Sequence, residues 1–249
     1  MQHKIIKTED GSHTLFVPDL NEHYHSVNGA IQESNHVFIE AGFRYYLREQ
    51  KQLQQEINIL EIGFGTGLNA FLTLLESEKW PVIVFYNSIE LYPITIEEAQ
   101  RLNYSELLEQ SEAGAVKTSK PHQSSEELQN QVSSSLFLKL HSSPWEKAAE
   151  ITPSFSLLKQ KFDFSKPDEF KSDRLFNLIY FDAFAPEKQP DMWTQEIFNK
   201  IYSLSDKGAV FTTYCAKGVV RRMLQTAGFK MERLPGPPGK REILRGSVV

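Results

Sequence analysis

The sequence has little cysteine: Cys215 is the only one among 249 residues. A single cysteine excludes an internal disulfide and fits a reducing compartment, so we expect a cytoplasmic protein. No apolar run approaches the roughly 20 residues that span a bilayer, and we expect no membrane contact. Met1 to Lys4 lead into acids rather than an apolar segment, which argues against a signal peptide.

Clustered metal ligands are scarce as well. His23 and His25 lie close together, but no cysteine or third ligand accompanies them in the sequence. Because a stable zinc site takes about four ligands, of which at least three come from the protein, we expect no bound metal.

Positive charge is sparse over most of the chain and concentrated at its C-terminal end. The chain has 27 Lys or Arg against 32 Asp or Glu, a net charge of −5. Residues 207–249 hold nine Lys or Arg against two acids. A basic region on an acidic body suits a polyanion bound at one side, and a solvated charged surface is the alternative.

Apolar runs and amphipathic stretches alternate from residue 57 onward. This alternation predicts an α/β fold with a doubly wound, mostly parallel sheet. We expect residues 1–56 to be an N-terminal extension packed on the core formed by 57–249. Residues 105–135, rich in Ser, Glu and Gln, are predicted to be a surface insertion.

Strand positions follow from the apolar runs. Residues 136–140 are predicted as the third strand and residues 145–149 as the start of a helix. Residues 162–173 are predicted to lie on the surface. Leu178 to Phe181 and Ala209 to Tyr214 are predicted as the fourth and fifth strands.

The central feature is a glycine loop between a predicted strand at 57–62 and a predicted helix from Leu68. The sequence Glu61-Ile-Gly-Phe-Gly-Thr-Gly67 places three glycines where the backbone turns toward a ligand. A purely structural glycine turn is the alternative without a ligand.

Two ligands compete for this loop. Gly65, Gly67 and Ala70 satisfy the relaxed spacing of a dinucleotide fingerprint. Glu61 with the three glycines matches the acid-x-Gly-x-Gly-x-Gly pattern, which resembles the S-adenosylmethionine (SAM) loop of class I methyltransferases. A carboxylate beside the loop repels a pyrophosphate and attracts the cationic methionine end of SAM, so we favour SAM.

Acids also follow two later strands. Glu90 ends the second predicted strand, where an acid accepts hydrogen bonds from a ribose diol in both NAD and SAM proteins, so it predicts a nucleoside ligand without choosing between the two. Asp182 ends the fourth, at the sheet edge where ligands bind. Asp182 is therefore a catalytic candidate, and a helix or turn cap is its structural alternative.

Further motifs follow in order: Phe181-Asp-Ala-Phe-Ala-Pro186, Pro190-Asp-Met-Trp193, Gly218-Val-Val-Arg-Arg222 and Gly239-Lys-Arg-Glu-Ile-Leu244. With the glycine loop and the segment Tyr24–Ser34, they resemble the methyltransferase domain of the MnmC family. That family finishes the methylaminomethyl modification of wobble 2-thiouridine in tRNA. The resemblance implies a Rossmann-like class I fold and SAM-dependent N-methylation of 5-aminomethyl-2-thiouridine. It also implies tRNA as partner, without the FAD-dependent oxidase domain of bifunctional members, and we expect a monomer.

The resemblance implies the following site residues. Asp182 orients the acceptor amine and helps its proton leave, and it also contacts the cofactor. The other cofactor-binding candidates are Glu61, Gly63, Phe64, Gly65, Thr66, Gly67, Asn69 and Glu90. The substrate candidates are Tyr24, Asn28, Phe184, Pro186, Trp193, Lys188, Arg221, Arg222, Lys240 and Arg241. Core packing is an equal alternative for Trp193, and the basic residues are candidates for phosphate contacts.

One departure from the family concerns adenine. Members often carry an acid after the third strand, whereas the predicted third strand here leads into His141-Ser-Ser-Pro-Trp145. Ser142 or a backbone group is the expected substitute. The functional alternatives are a SAM enzyme for another amine or a protein, an NAD-dependent oxidoreductase, and a catalytically silent SAM-binding module.

Overall fold

The structure is a computed structural model that describes residues 3–50, 55–115 and 134–249. Two sheets are present, a small antiparallel one at the N-terminus and a large central one. The strands in chain order are β1 (Lys4–Lys7), β2 (His13–Val17), β3 (Glu22–His23), β4 (Glu56–Ile62), β5 (Ile83–Glu90), β6 (Ala149–Thr152), β7 (Phe155–Lys161), β8 (Phe176–Phe181), β9 (Ser205–Thr213), β10 (Lys230–Pro235) and β11 (Glu242–Ser247).

Helices cover the central sheet. One helical stretch widens to π-type turns over Asn35–Arg44, and short 3₁₀ turns occur at Pro167–Glu169 and Pro190–Met192. Among the described residues, no helix is long and apolar enough to cross a membrane. The α-helices are α1 (Ala30–Ser34), α2 (Tyr45–Glu49), α3 (Leu68–Ser77), α4 (Ile96–Gln100), α5 (Tyr104–Ala115), α6 (134–142), α7 (Gln195–Leu204) and α8 (Gly218–Ala227).

The central sheet confirms the predicted mostly parallel arrangement. Its strand order is β10-β11-β9-β8-β4-β5-β7-β6, and the five strands from β9 to β7 are parallel. Antiparallel strands close both edges. Chain order reverses direction between β4 and β8, and the crevice beyond the carboxyl ends of such strands is where open α/β sheets bind ligands.

Strand side chains alternate between two apolar cores. Ile59 and Tyr180 pack on the side that includes α3, whereas Leu60 and Phe181 pack on the side of α7 and α8. Every residue of β8 is buried. Burial on both faces explains why the central strands are continuous apolar runs, and it holds their carboxyl ends in fixed positions.

The structure corrects the predicted third strand. Residues 136–140 lie in α6, where Phe137 and Leu140 face the core, and the strand beside β5 is β7. Residues 145–149 do not begin a helix, since they lead into β6. Residues 162–173 are not a surface excursion throughout, because Phe164 and Phe170 are buried in the second core.

The N-terminal extension packs on the central fold. β2 contacts the segment after α4, where the backbone N–H of His13 donates to Asn103 Oδ1 at 2.8 Å. The helical stretch Asn35–Arg44 packs on β8 and β9. The proposed boundary at residues 56 and 57 stays a prediction. Within the predicted insertion 105–135, α5 and the start of α6 are described, and residues 116–133 lie outside the described residues.

Candidate active site

A cavity of about 610 Å³ lies at the carboxyl ends of β4, β5, β7 and β8. The glycine loop after β4 and the segment after β8 form its floor. Leu20 and residues 22–27 of the N-terminal extension also line it. Its volume is in the range of small-molecule and cofactor sites. The predicted loop and both predicted strand ends therefore meet at one cavity.

The glycine loop follows a path that side chains would block. Gly63 and Gly65 have φ of +98° and +51°. A Cβ at Gly63 would lie 2.6 Å from the carbonyl oxygen of Asp182, and one at Gly65 would lie 2.9 Å from the Tyr24 ring. Glycine is thus required both by the backbone conformation and by the close approach of β8 and Tyr24.

Backbone N–H groups of the glycine loop donate hydrogen bonds to acceptors within the protein. Gly65 N–H donates to Glu90 Oε2 at 2.9 Å, and the other Glu90 oxygen accepts from Tyr92 N–H at 2.8 Å. Gly63 and Gly67 donate to the carbonyls of Ile89 and Phe64. A pyrophosphate at this loop would compete with a carboxylate for the Gly65 donor and would be repelled by its charge.

Glu61 lies beneath the loop, outside the cavity wall. Its side chain is fully buried, and Ser88 Oγ donates to its Oε2 at 2.5 Å. Burial raises the pKa of the Glu61 carboxyl to about 8, so the side chain is neutral at pH 7. The attraction for a cationic ligand that the sequence assigned to Glu61 therefore has to come from other acids. Glu90, Asp163 and Asp182 line the cavity.

We expect the free energy of unfolding of Glu61→Gln to increase relative to that of the wild type as the pH rises from about 5 to 8, by a few kcal/mol in total. The pKa of the Glu61 carboxyl is higher in the folded protein than in the unfolded chain. The burial of neutral Glu61 therefore adds stability to the wild type below the unfolded pKa, and this stability is lost as the pH rises through the folded value of about 8. Glutamine mimics the protonated acid and lacks this loss. Chemical denaturation at several pH values measures the difference.

The matched control is Glu150→Gln, which removes a carboxyl from an exposed position of β6. A Glu61→Gln difference from wild type that stays constant between pH 5 and 8 would contradict the assignment of a neutral, buried Glu61.

Asp182 lies at the cavity wall where β8 ends. Asn69 Nδ2, from the first turn of α3, donates to Asp182 Oδ2 at 2.8 Å. Burial raises the pKa of the Asp182 carboxyl to about 7, and the Asn69 hydrogen bond opposes the rise. An acid with a pKa near neutral pH can accept a proton and release it again, which is the property required of a general base.

Asp163, the acid that follows the strand beside β5, was not predicted from the sequence. Phe162, Asp163 and Phe164 follow β7 and line the cavity. Asp163 Oδ1 accepts from Ser165 Oγ at 2.6 Å. Ser142, the expected substitute, lies exposed on α6. The buried positions of β7 alternate at Phe155, Leu157 and Lys159, but the third is a lysine, so the apolar period of two that marks a strand is not visible in the sequence.

Part of the predicted substrate set also lines the cavity. Tyr24 and Phe184 line it with their ring centroids 5.1 Å apart. Lys188 Nζ donates to the carbonyl of Leu20 at 3.0 Å. Lys240 also lines the cavity and forms an ion pair with Glu33. Two of the proposed phosphate contacts thus lie within the cavity wall rather than on the outer surface.

Other predicted residues lie outside the cavity wall. Trp193 packs on Phe181 with ring centroids 4.9 Å apart and donates from Nε1 to the carbonyl of Phe184 at 2.8 Å. Thr66 is fully buried and bonded to His25. The remaining residues outside the wall are Glu61, Gly67, Asn69, Asn28, Pro186, Arg221, Arg222 and Arg241.

The basic C-terminal region is partly neutralised. Four of its nine Lys or Arg pair with acids. Arg222 and Arg241 are exposed on the surface. The paired residues are Lys217, Arg233, Lys240 and Arg245. A polyanion would therefore meet fewer free cations than the sequence count implies.

Comparison with known proteins places this site in a family. Residues 164–248 match the model of a family described as S-adenosyl-L-methionine-dependent methyltransferase. The tRNA 5-methylaminomethyl-2-thiouridine biosynthesis bifunctional protein MnmC of Leptospira interrogans is 30% identical over 231 residues, which are 90% of this chain and 32% of that protein. The Burkholderia multivorans protein of the same name is 28% identical, over 96% of this chain and 34% of that protein.

The fold comparison agrees. The crystal structure of MnmC2 from Aquifex aeolicus superposes with a TM-score of 0.70 at 23% identity, covering 99% of this chain and 70% of that one. The chain spans about a third of the length of the curated relatives that it matches. Residues 164–248 thus match an S-adenosyl-L-methionine-dependent methyltransferase family, and the chain is similar to MnmC proteins over 90% of its length and to MnmC2 in fold.

Proposed function

We propose that this protein transfers a methyl group from SAM to the primary amine of 5-aminomethyl-2-thiouridine at the wobble position of tRNA. The names of the MnmC relatives support the substrate. The observation that carries the cofactor is the hydrogen bond from Gly65 N–H to the Glu90 carboxylate, which leaves an acid where a dinucleotide needs donors.

Three cavity residues fit the nucleoside of SAM. Glu90 has lone pairs left on both carboxylate oxygens and can accept from a ribose diol. Asp163 can accept from the adenine amino group, the role for which Ser142 or a backbone group was expected from the sequence. The rings of Phe162 and Phe164 give the adenine an apolar wall.

Asp182 would act on the acceptor. When bound, SAM supplies a methyl group on a positively charged sulfur. Asp182 would accept hydrogen bonds from the amine, orient its lone pair toward the methyl group, and take up the proton that an alkylamine carries at neutral pH. Asn69 would hold the Asp182 carboxyl in place through its 2.8 Å hydrogen bond.

The base would enter between aromatic side chains. A wobble base has to leave its stack to reach an enclosed site, and aromatic rings compensate for the lost stacking. Tyr24 and Phe184 line the cavity side by side and are the candidates for this contact. Trp193 would support them from the core by fixing the carbonyl of Phe184.

We expect tRNA affinity to fall steeply with salt, while SAM affinity changes little, because phosphate contacts release counterions. Arg222→Ala and Arg241→Ala remove exposed cations of the basic C-terminal region, and each should weaken tRNA binding by about threefold to tenfold at low salt. Fluorescence anisotropy with tRNA and calorimetry with SAM measure the two affinities.

The matched control is Lys171→Ala, which removes an exposed cation from the segment before β8, outside residues 207–249. Equal weakening by all three variants, or a salt dependence shared by SAM, would argue against a phosphate-binding surface at the C-terminal region.

The proposal is tested by methyl transfer to bulk tRNA. Labelled SAM is incubated with the protein and tRNA from cells that lack this activity. We expect label in that tRNA and none in fully modified tRNA. SAM binding without transfer to tRNA would favour another amine substrate or a silent module, and NAD binding in place of SAM would favour an oxidoreductase.

A further inference from the structure

Glu33 is a buried carboxylate in the cavity wall. It comes from α1, is 7% exposed, and lines the same cavity as Asp182. Its Oε2 accepts from Ser26 N–H at 2.8 Å. Its Oε1 forms an ion pair with Lys240 Nζ at 2.5 Å. Because a buried carboxylate is costly without a cation, Glu33 requires one at this place.

Lys240 reaches Glu33 from the loop between β10 and β11. Its ammonium also lies 3.9 Å from the centroid of the Tyr214 ring. The loop is held against the N-terminal extension at Gly239, where a Cβ would lie 1.9 Å from Asn28 Nδ2. Lys240 therefore has a second partner, the Tyr214 ring, whether or not Glu33 holds it.

Both charges act on Asp182. Among the influences on the pKa of the Asp182 carboxyl, the charge of Glu33 raises it and the charge of Lys240 lowers it. Tyr214, beneath Lys240, donates from its hydroxyl to the carbonyl of Ala183, the residue after Asp182. Glu33 and Lys240 thus belong to the immediate surroundings of the proposed methyl acceptor.

We propose that Glu33 is a specificity-determining residue that recognises the positive charge of the acceptor nitrogen, and that Lys240 occupies the place of this nitrogen until the acceptor enters. The proposal rests on the proposed function. The entering ammonium replaces Lys240 beside Glu33, and Lys240 remains against the Tyr214 ring. An acceptor whose amine carries a carboxymethyl group brings a carboxylate to the same place and is repelled by Glu33.

The test compares two forms of one tRNA. The first carries 5-aminomethyl-2-thiouridine and is the methyl acceptor, for which KM is measured. The second carries a carboxymethyl group on the same amine and serves as a competitive inhibitor, for which the inhibition constant is measured. Glu33→Gln keeps an acceptor for Ser26 N–H and removes the charge, so the fold is maintained.

For Glu33→Gln, we expect KM for the aminomethyl form to rise about tenfold and the inhibition constant of the carboxymethyl form to fall about tenfold. Lys240→Met should shift the inhibition constant in the opposite direction, because it leaves Glu33 without its cation. Glu40→Gln, which removes an exposed carboxylate from the adjoining stretch Asn35–Arg44, is the matched control and should leave both constants within about threefold.

The outcomes separate the two proposals. A wild-type protein that does not methylate the aminomethyl tRNA would overturn the proposed function and this inference together. An active wild type whose two constants are unchanged in Glu33→Gln would overturn the inference alone. Constants that rise together in Glu33→Gln would also overturn it, because general damage to the cavity weakens both ligands.

Discussion

Asp182→Asn lowers kcat for methyl transfer by at least about a hundredfold while SAM affinity stays within about tenfold of wild type. The amide keeps the size of the side chain and an oxygen that can accept from Asn69, so the cavity is maintained. It cannot take up a proton, and it offers the amine a weaker acceptor than a carboxylate. Single-turnover kinetics at saturating SAM measure the loss.

The pH dependence adds a second expectation for Asp182. The wild-type rate should fall as the pH drops below about 7, where the Asp182 carboxyl becomes protonated. The variant should lack this component. Asp191→Asn, an exposed acid in the turn before α7, is the control and should retain the wild-type rate. Undiminished turnover in Asp182→Asn would remove the role assigned to this residue.

Glu90→Ala weakens SAM binding by about a hundredfold, the second large effect that we expect. The substitution removes the proposed partner of the ribose diol. It also leaves the N–H groups of Gly65 and Tyr92 without their acceptors, which frees the glycine loop. Isothermal titration with SAM measures the change directly.

The matched control is Glu97→Ala, an exposed acid in the first turn of α4. It removes the same charge from an exposed position outside the glycine loop, so SAM affinity should change by less than about threefold. Equal SAM affinity in wild type and Glu90→Ala would show that the ribose lies elsewhere. Gained affinity for NAD in Glu90→Ala would revive the dinucleotide alternative.

The framework of the cavity could be predicted from the sequence. The apolar run of β4, the glycines after it and the apolar face of α3 are local signals, and local signals predict elements well. Glu90 and Asp182 could be placed because parallel strands bring their carboxyl ends to one edge. Distant residues in the sequence meet at this edge, as the Gly63 contact with Asp182 illustrates.

The third strand could not be predicted because a short apolar run does not reveal its period. Residues 136–140 read equally as strand and helix. Tertiary packing decides the question, since Phe137 and Leu140, three residues apart, both face the core from α6. The misplaced strand then hid Asp163, whose position is informative only when β7 is recognised as the strand beside β5.

The charge state of Glu61 could not be predicted from the sequence either. The pattern of an acid before three glycines says nothing about burial, and the prediction assumed a carboxylate. The structure buries Glu61 beneath the loop and raises its pKa to about 8. Acidic side chains still favour a cationic cofactor, but these acids are the ones that line the cavity, above all Glu90.

The most direct test is mass analysis of the wobble nucleoside after one incubation of the protein with SAM and tRNA that carries 5-aminomethyl-2-thiouridine. The account predicts that this nucleoside gains the mass of a single methyl group, located by fragmentation on the exocyclic nitrogen. An unchanged aminomethyl nucleoside in the presence of bound SAM, or a methyl group on the ring or ribose, would contradict it.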